Sequence, residues 1–225
     1  MTRPNMHLKE ALLTKKDLTL GTLAGLLIGL LFLPVLNAAK PELFTKIYLA
    51  IIPFFIIGTP AGLLVANILS KKIAIIWQIA KFGVTGILNA LVDLGILTIL
   101  TWLFRSQLHI DSESVILSIL PFITFYSIYK AISFVIANIN SYYWNKYWTF
   151  QKEGTRDEKS NFVQFFIVSL VGFIINVLAA SITFTFVNAS TAISTDQAGL
   201  LGAIAGSIIG LAWNFVGYKF IVFKK

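Results

Sequence analysis

Residues 134–152 read FVIANINSYYWNKYWTFQK. The stretch leaves an apolar helix through small and amide residues. It then crosses Tyr142, Tyr143, Trp144, Tyr147 and Trp148 and reaches Lys146 and Lys152. Rings followed by cations suit a helix leaving a bilayer on its cytoplasmic side, because aromatic residues settle at headgroup level and Lys favours that leaflet. The end of the chain, residues 213–225 (WNFVGYKFIVFKK), repeats the design: a shift of 73 positions lays Lys146, Tyr147, Phe150 and Lys152 on Lys219, Phe220, Phe223 and Lys225. One exit pattern used twice implies two equivalent half-units.

The composition agrees. Of 225 residues, 57% are hydrophobic and only 12% charged, which is not the balance of a soluble domain. The apolar residues come in blocks, several longer than the ~18 residues that mark a spanning helix. The chain therefore reads as an integral membrane protein. With no Cys it has no disulfide, no thiol nucleophile and no thiolate metal site. A formal charge of +8 would suggest a nucleic-acid partner in a soluble protein; here membrane orientation accounts for the cations and no nucleic acid is expected.

Six blocks qualify as spans. The first covers residues 18–39, behind Arg3, Lys9, Lys15 and Lys16. Its core is longer than the ~7–15 residues of a signal peptide and Asn37-Ala38-Ala39 is a poor cleavage site, so a retained helix is expected. Gly21, Gly25 and Gly29 recur every fourth residue, a close-packing stripe for a neighbouring helix. The second block, 47–69, should bend at Pro53 and Pro60. These two helices form a hairpin, residues 1–76, without counterpart later in the chain. The third block is 79–103. The run 115–145 would be ~46 Å long as one helix, against a hydrocarbon core of ~30 Å, so Pro121 is expected to split it and the span to start near Ser127. Blocks 162–187 and 198–217 complete the set, giving an all-α protein with a four-helix core in residues 77–225.

Cation counts set the orientation. The N-terminus, the 71–81 turn, the 146–159 loop and the tail hold 4, 3, 4 and 3 Lys or Arg, against 4 (Lys40, Lys46, Arg105 and Lys130) on or toward the other side. The positive-inside rule then places both termini in the cytoplasm.

The third and fifth helices open alike, with Phe82, Val84, Gly86 and Asn89 against Phe165, Val168, Gly172 and Asn176 at small offsets. The fourth and sixth close alike. Two helix pairs of the same orientation make a parallel duplication, as distinct from the inverted repeats of many transporters. Together, KFGVTGILNALVDLGI, ISFVIANINSYYWNKYWTF, FFIVSLVGFIINV and AWNFVGYKFIVFKK resemble the GtrA-like family of small four-helix membrane proteins, over about residues 77–225. The resemblance implies handling of polyprenyl-phosphate-linked sugars at the bacterial or archaeal cytoplasmic membrane, for cell-envelope or O-antigen glycosylation. It also implies a second role, since related modules anchor polyprenyl-phosphate sugar synthases. The N-terminal hairpin is a departure from the pattern.

Asp93 is the one acidic residue deep in a span. At ~100° per residue it shares a face of the third helix with Phe82, Gly86 and Asn89. An Asp at a helix centre costs roughly 2.5–3.5 kcal/mol on the insertion scale, so it must face protein or water. It lines a headgroup pathway or binds a proton, or else it pairs with a neighbouring helix. Lys130, Asn138, Ser141 and Asn145 fall within one arc of the fourth helix. Asp93 lies twelve residues beyond Lys81, and Lys130 sixteen before Lys146. Their depths then differ by only ~6 Å, so Lys130 either pairs with Asp93 or snorkels to the outer surface. Ser169, Gly172 and Asn176 give the fifth helix a polar stripe, as Gly202, Gly206, Gly210 and Asn214 do the sixth. The glycines read as packing surfaces. The asparagines read as candidates for contact with a sugar or phosphate, since a buried amide needs partners. Lys81, Lys146 and Lys219, at cytoplasmic ends, stand where a lipid phosphate would lie, although topology signalling explains them equally.

No catalytic set is visible. His7 and His109 fall in loops on opposite sides, there is no phosphate-binding Gly loop with a following Lys, and no carboxylate pair follows a glycosyltransferase pattern. No enzyme activity, cofactor or metal is expected. The expected function is a flippase, or a flippase component, for a polyprenyl-phosphate-linked sugar. The alternatives are a non-transporting scaffold for a separate glycosyltransferase and a small-solute transporter. The expected partners are the lipid-linked sugar, membrane lipids, such a glycosyltransferase and a second copy of the chain, because four core helices are few to enclose a long lipid carrier.

Overall fold

The computed structural model describes residues 13–112, 114–116, 124–151, 158–191 and 195–224, and its elements are helical. They are α1 (Lys15–Ala39), α2 (Pro41–Ser70), α3 (Ile75–Leu108), α4 (Phe125–Trp144), a π-helical turn at Asn145–Thr149, α5 (Glu158–Ser190), α6 (Thr195–Gly217) and a second π-helical turn at Tyr218–Val222. Helices are what a lipid-embedded chain can form, since each satisfies its own backbone polar groups. Among the described residues, five stretches are long and apolar enough to cross a bilayer, in α1, α2, α3, α5 and α6 with its π turn. At 20 residues α4 has the length for a sixth span, ~30 Å, but Lys130 and a row of amides and hydroxyls make it less apolar. The split expected at Pro121 lies outside the described residues. Around it, Phe125 opens α4 behind Thr124, whose carbonyl starts the helix.

The chain divides into two compact units, Met1–Gln151 and Lys152–Lys225. This division differs from a boundary at residue 76, because packing joins the hairpin to the first helix pair. Both α1 and α2 lie against α3. The boundary near 76 marks where the repeat pattern begins and is not a gap in the packing.

In the first unit the glycine stripe of α1 works as expected. A Cβ on Gly21 would come within 2.5 Å of Leu63 Cδ1, one on Gly29 within 3.0 Å of the Ile52 Cα, and one on Gly25 would collide with the Phe55 carbonyl. The α1–α2 backbones therefore approach as closely as small-residue seams allow. Ala24, Ile28, Leu63, Trp77, Leu88, Leu91 and Trp148 form the buried core. At the far end Phe104 packs on Tyr129 with ring centroids 4.8 Å apart, tying α3 to α4. Helix α2 continues through Pro53 and Pro60 as one element.

The second unit pairs α5 with α6 through glycines on both helices. A Cβ on Gly206 would lie 2.5 Å from the Asn176 carbonyl, and one on Gly202 2.7 Å from that of Ala180. Phe165 stacks on Tyr218 at 4.1 Å, and the Tyr218 hydroxyl lies 2.6 Å from Ser169 Oγ.

The duplication is visible in the packing. Phe82 meets Phe150 at 6.5 Å in the first unit, and Phe165 meets Phe223 at 6.1 Å in the second. Each exit helix ends in a π turn closed by a Phe N–H, Phe150 to Asn145 O at 2.9 Å and Phe223 to Tyr218 O at 2.7 Å.

The exit rings do not all sit at a membrane surface. Tyr143 and Tyr147 are exposed and stacked on each other with planes 4° apart. Tyr142 and Trp148 instead point inward and are buried. A helix turn presents rings to every side, so only those away from neighbouring helices can reach a headgroup layer.

Candidate functional site

The α3–α4 interface carries a polar seam. On α3, Lys81, Thr85, Asn89 and Asp93 follow one another at four-residue steps, so they form one stripe ~18 Å long. Facing groups come from α4 and its π turn. Thr85 Oγ1 lies 3.4 Å from Thr149 Oγ1, and Thr85 is 1% exposed. Toward the middle of α3, the Lys130 ammonium donates to Asp93 Oδ2 and Ser133 Oγ donates to Asp93 Oδ1 at 2.6 Å. Asp93 and Lys130 thus form an ion pair, with Asp93 holding a hydroxyl as well. The side chains are 20% and 43% exposed.

Between these two contacts lie amides. Asn145 Nδ2 donates to the Ser141 carbonyl at 2.9 Å and to Ser141 Oγ at 3.2 Å, while Asn138 Nδ2 donates to Phe134 O at 2.9 Å. These bonds stay within α4. Asn89 Oδ1 and Asn145 Oδ1 are buried acceptors with no donor among the described residues. Asn89 is one turn inward of Thr85, and Asn145 one turn inward of Thr149. The middle of the seam therefore presents acceptor oxygens that a hydroxyl group or water would satisfy.

The other end of the seam, its mouth, holds an ion pair built with the hairpin. Asp17 lies in the first turn of α1, where Thr14 and Asp17 form a capping box: Asp17 N–H donates to Thr14 Oγ1 at 3.1 Å, and Asp17 Oδ2 accepts from Thr14 N–H at 3.0 Å and Thr14 Oγ1 at 2.6 Å. Asp17 Oδ1 accepts from the Trp148 indole at 3.0 Å and lies 3.5 Å from Lys81 Nζ. Lys81 also sits 5.0 Å from the Trp77 ring centroid. Both charged side chains are 2% exposed. Lys81 thus faces an internal carboxylate at this position, not an open membrane surface.

Lys146 and Lys219 take equivalent places in the two π turns. Lys146 is buried, its ammonium 5.0 Å from the Tyr147 ring and 5.8 Å from that of Tyr142. Lys219 is half-buried, at 5.7 Å from both Phe215 and Phe220. A π turn often marks a functional position in a helix, because it re-aims side chains that a regular helix would place elsewhere.

Among the described residues, the second unit shows no such hydrogen-bonded and ion-paired seam. Taking Phe82 with Phe165 and Phe150 with Phe223 as equivalent, Asp93 and Ser133 correspond to Asn176 and Gly206, and Asn89 and Ser141 to Gly172 and Asn214. This replaces the pairing of Asn89 with Asn176 that motif alignment gives. A Cβ on Gly172 would strike the Asn214 side chain, and one on Gly210 would come within 2.9 Å of Asn176 Cβ. Asn176 and Asn214 are therefore wedged into a glycine interface, where Asn214 Oδ1, like Asn89 Oδ1 and Asn145 Oδ1, is a buried acceptor with no donor among the described residues.

The sequence pattern had singled out Asn89, Asp93, Lys130, Ser141 and Asn145, all on the seam, and Asn138 beside them. It missed Asp17, Thr85, Ser133, Trp148 and Thr149. Thr85 was detectable, since it fills the four-residue step between Lys81 and Asn89. Asp17 and Trp148 left no local signal, being 131 residues apart.

A family model described as GtrA/DPMS, transmembrane domain, matches residues 81–223, from the lysine at the mouth of the seam to the Phe that closes the second π turn. No curated protein and no solved structure matches the chain.

Proposed function

The chain belongs to the GtrA/DPMS transmembrane-domain family, and from that premise we propose that it moves a polyprenyl-phosphate-linked sugar across the cytoplasmic membrane, as a flippase or the membrane component of one. Membership ties it to polyprenyl-phosphate sugar handling at a membrane. The observation that favours movement is the seam. Its stripe of Lys81, Thr85, Asn89 and Asp93 covers ~18 Å of a ~30 Å hydrocarbon core, and a hydroxyl-rich headgroup needs such contacts in place of water. Asn89 and Asn145 offer it acceptors, and the Asp93–Lys130 pair forms the inner end of the path. Lys219, half-buried at the cytoplasmic end of its exit helix, is in this reading a contact for a lipid phosphate, and Lys146 takes the equivalent place in its own unit. The chain carries out no bond chemistry of its own, and a glycosyltransferase or a second copy completes the assembly.

The test is transbilayer movement in sealed vesicles, with a polyprenyl-phosphate sugar whose sidedness is read by an impermeant reagent. Asn89→Leu removes one acceptor and leaves the Asp93–Lys130 pair alone. Losing a hydrogen bond to a buried group costs on the order of 1–3 kcal/mol, so the rate should fall ~10-fold at normal protein level. Full transport by Asn89→Leu would refute the seam as the path. No transport by the wild type, together with capture of a polyprenyl-phosphate glycosyltransferase, would favour the scaffold reading instead.

A further inference from the structure

Lys81 is the first residue of the family match, whereas Asp17 lies outside it, in the hairpin that this chain adds. The cation at the mouth of the seam is therefore neutralised by a carboxylate from another part of the chain. Beside it, the pocket lined by Trp77, Gln78, Lys81, Thr149, Phe150 and Gln151 has a volume of about 10 Å³, room for roughly one water. That pocket is too small for a phosphate, and Asp17 holds the contact that Lys81 makes on its other side.

We propose that the hairpin is a latch: Asp17 occupies the cation that the domain would otherwise present to a phosphate, and a phosphate-bearing headgroup opens the seam by taking Asp17's place on Lys81. Three features make the contact exchangeable. The Lys81–Asp17 contact is a single one, Nζ to Oδ1 at 3.5 Å, so exchange has one N···O contact to replace. Asp17 does not depend on Lys81, because its other oxygen keeps both Thr14 bonds and its charge sits favourably at a helix N-terminus. The phosphodiester of a polyprenyl-phosphate-linked sugar carries one negative charge and two free acceptor oxygens, so it can replace the carboxylate on the Lys81 ammonium one charge for another. Exchange would also free the Trp148 indole, the second group that holds Asp17 Oδ1. The contacts of Asp17 with Lys81 and Trp148 are independent of the function proposed above, and the nature of the ligand rests on it.

The experiment uses the natural absence of cysteine. Thr85→Cys, buried one turn inside the mouth, is placed in the full-length protein in lipid nanodiscs, and its alkylation by a small polar thiol reagent is timed. Labelling should be slow with no ligand and rise about tenfold with a polyprenyl-phosphate-linked sugar, a coupling of ordinary size between two sites. Adding Asp17→Asn should give the fast rate without ligand and remove the response to it. Should Asp17→Asn fail to fold, the ligand arm on the Asp17 background decides alone. Inorganic phosphate and an acidic phospholipid are run in parallel. Acceleration by either of these, but not by the polyprenyl-phosphate-linked sugar, would support the latch and count against the lipid-carrier reading. A rate that none of the three ligands changes, with Asp17→Asn equally slow where it folds, would overturn the latch, leave Asp17 as a fixed anchor, and say nothing against transport.

Discussion

Removing Lys130 should destabilise the protein more than removing Asp93, although the two form one ion pair. In Lys130→Met the Asp93 carboxylate stays in the seam at 20% side-chain exposure with Ser133 as its remaining hydrogen-bond donor. Breaking a buried pair from one side costs ~3–5 kcal/mol. The Lys130 side chain is 43% exposed, so screening reduces this and the expectation is ~2 kcal/mol. Asp93→Leu removes the costly group itself. It returns roughly 2.5–3.5 kcal/mol on the insertion scale, against the loss of two charge-assisted hydrogen bonds worth ~1.5–3 kcal/mol each. Ser133 keeps its bond to the Lys130 carbonyl at 3.0 Å, and Lys130 can extend along its helix toward water. The net cost should be ~1 kcal/mol or less. The double variant should then be more stable than Lys130→Met alone, with a coupling of ~1–2 kcal/mol. Reversible unfolding in mixed micelles reads all three. Lys130→Met no worse than Asp93→Leu, or an additive double variant, would refute the argument that a stranded carboxylate is the dominant cost.

Two further outcomes are expected. Gly25→Ala places a methyl group on the Phe55 carbonyl, whereas Gly58 has nothing within 4 Å of such a methyl; the first should cost ~1–3 kcal/mol and the second almost nothing, and equal melting temperatures would contradict the α1–α2 packing. Cysteines placed singly at Lys72, in the turn before α3, and at Ser190, at the end of α5, should label from opposite sides of sealed cells; labelling of both from outside would end the orientation drawn from the cation counts.

The helical spans were legible because a bilayer imposes them. Where no water can satisfy the backbone, length and apolarity alone select helices, and the expected blocks differ from the observed elements mainly by added turns at the ends, as in α3, which runs Ile75–Leu108 where the apolar block is 79–103. The duplication was also readable, because Phe82, Phe150, Phe165 and Phe223 recur at matching places and their ring contacts recur with them. Much of the seam was legible too, since Asn89, Asp93, Lys130, Ser141 and Asn145 are polar residues in apolar helices, where polarity calls for a reason.

What those polar residues meet was decided only by tertiary structure. Helical periodicity states which side chains share a face of one helix and says nothing of the helix opposite. It put Asn176 and Asn214 on a par with Asn89 and Asp93, yet facing glycines make the second pair of helices a tight joint, while Ser133 and Thr149 make the first a polar seam. It placed Lys81 at a membrane surface because a lysine after an apolar turn belongs there by charge alone. The fold brings Asp17 to it from 64 residues away, and a cation beside a buried carboxylate is more stable than either group left alone in a low-dielectric interior.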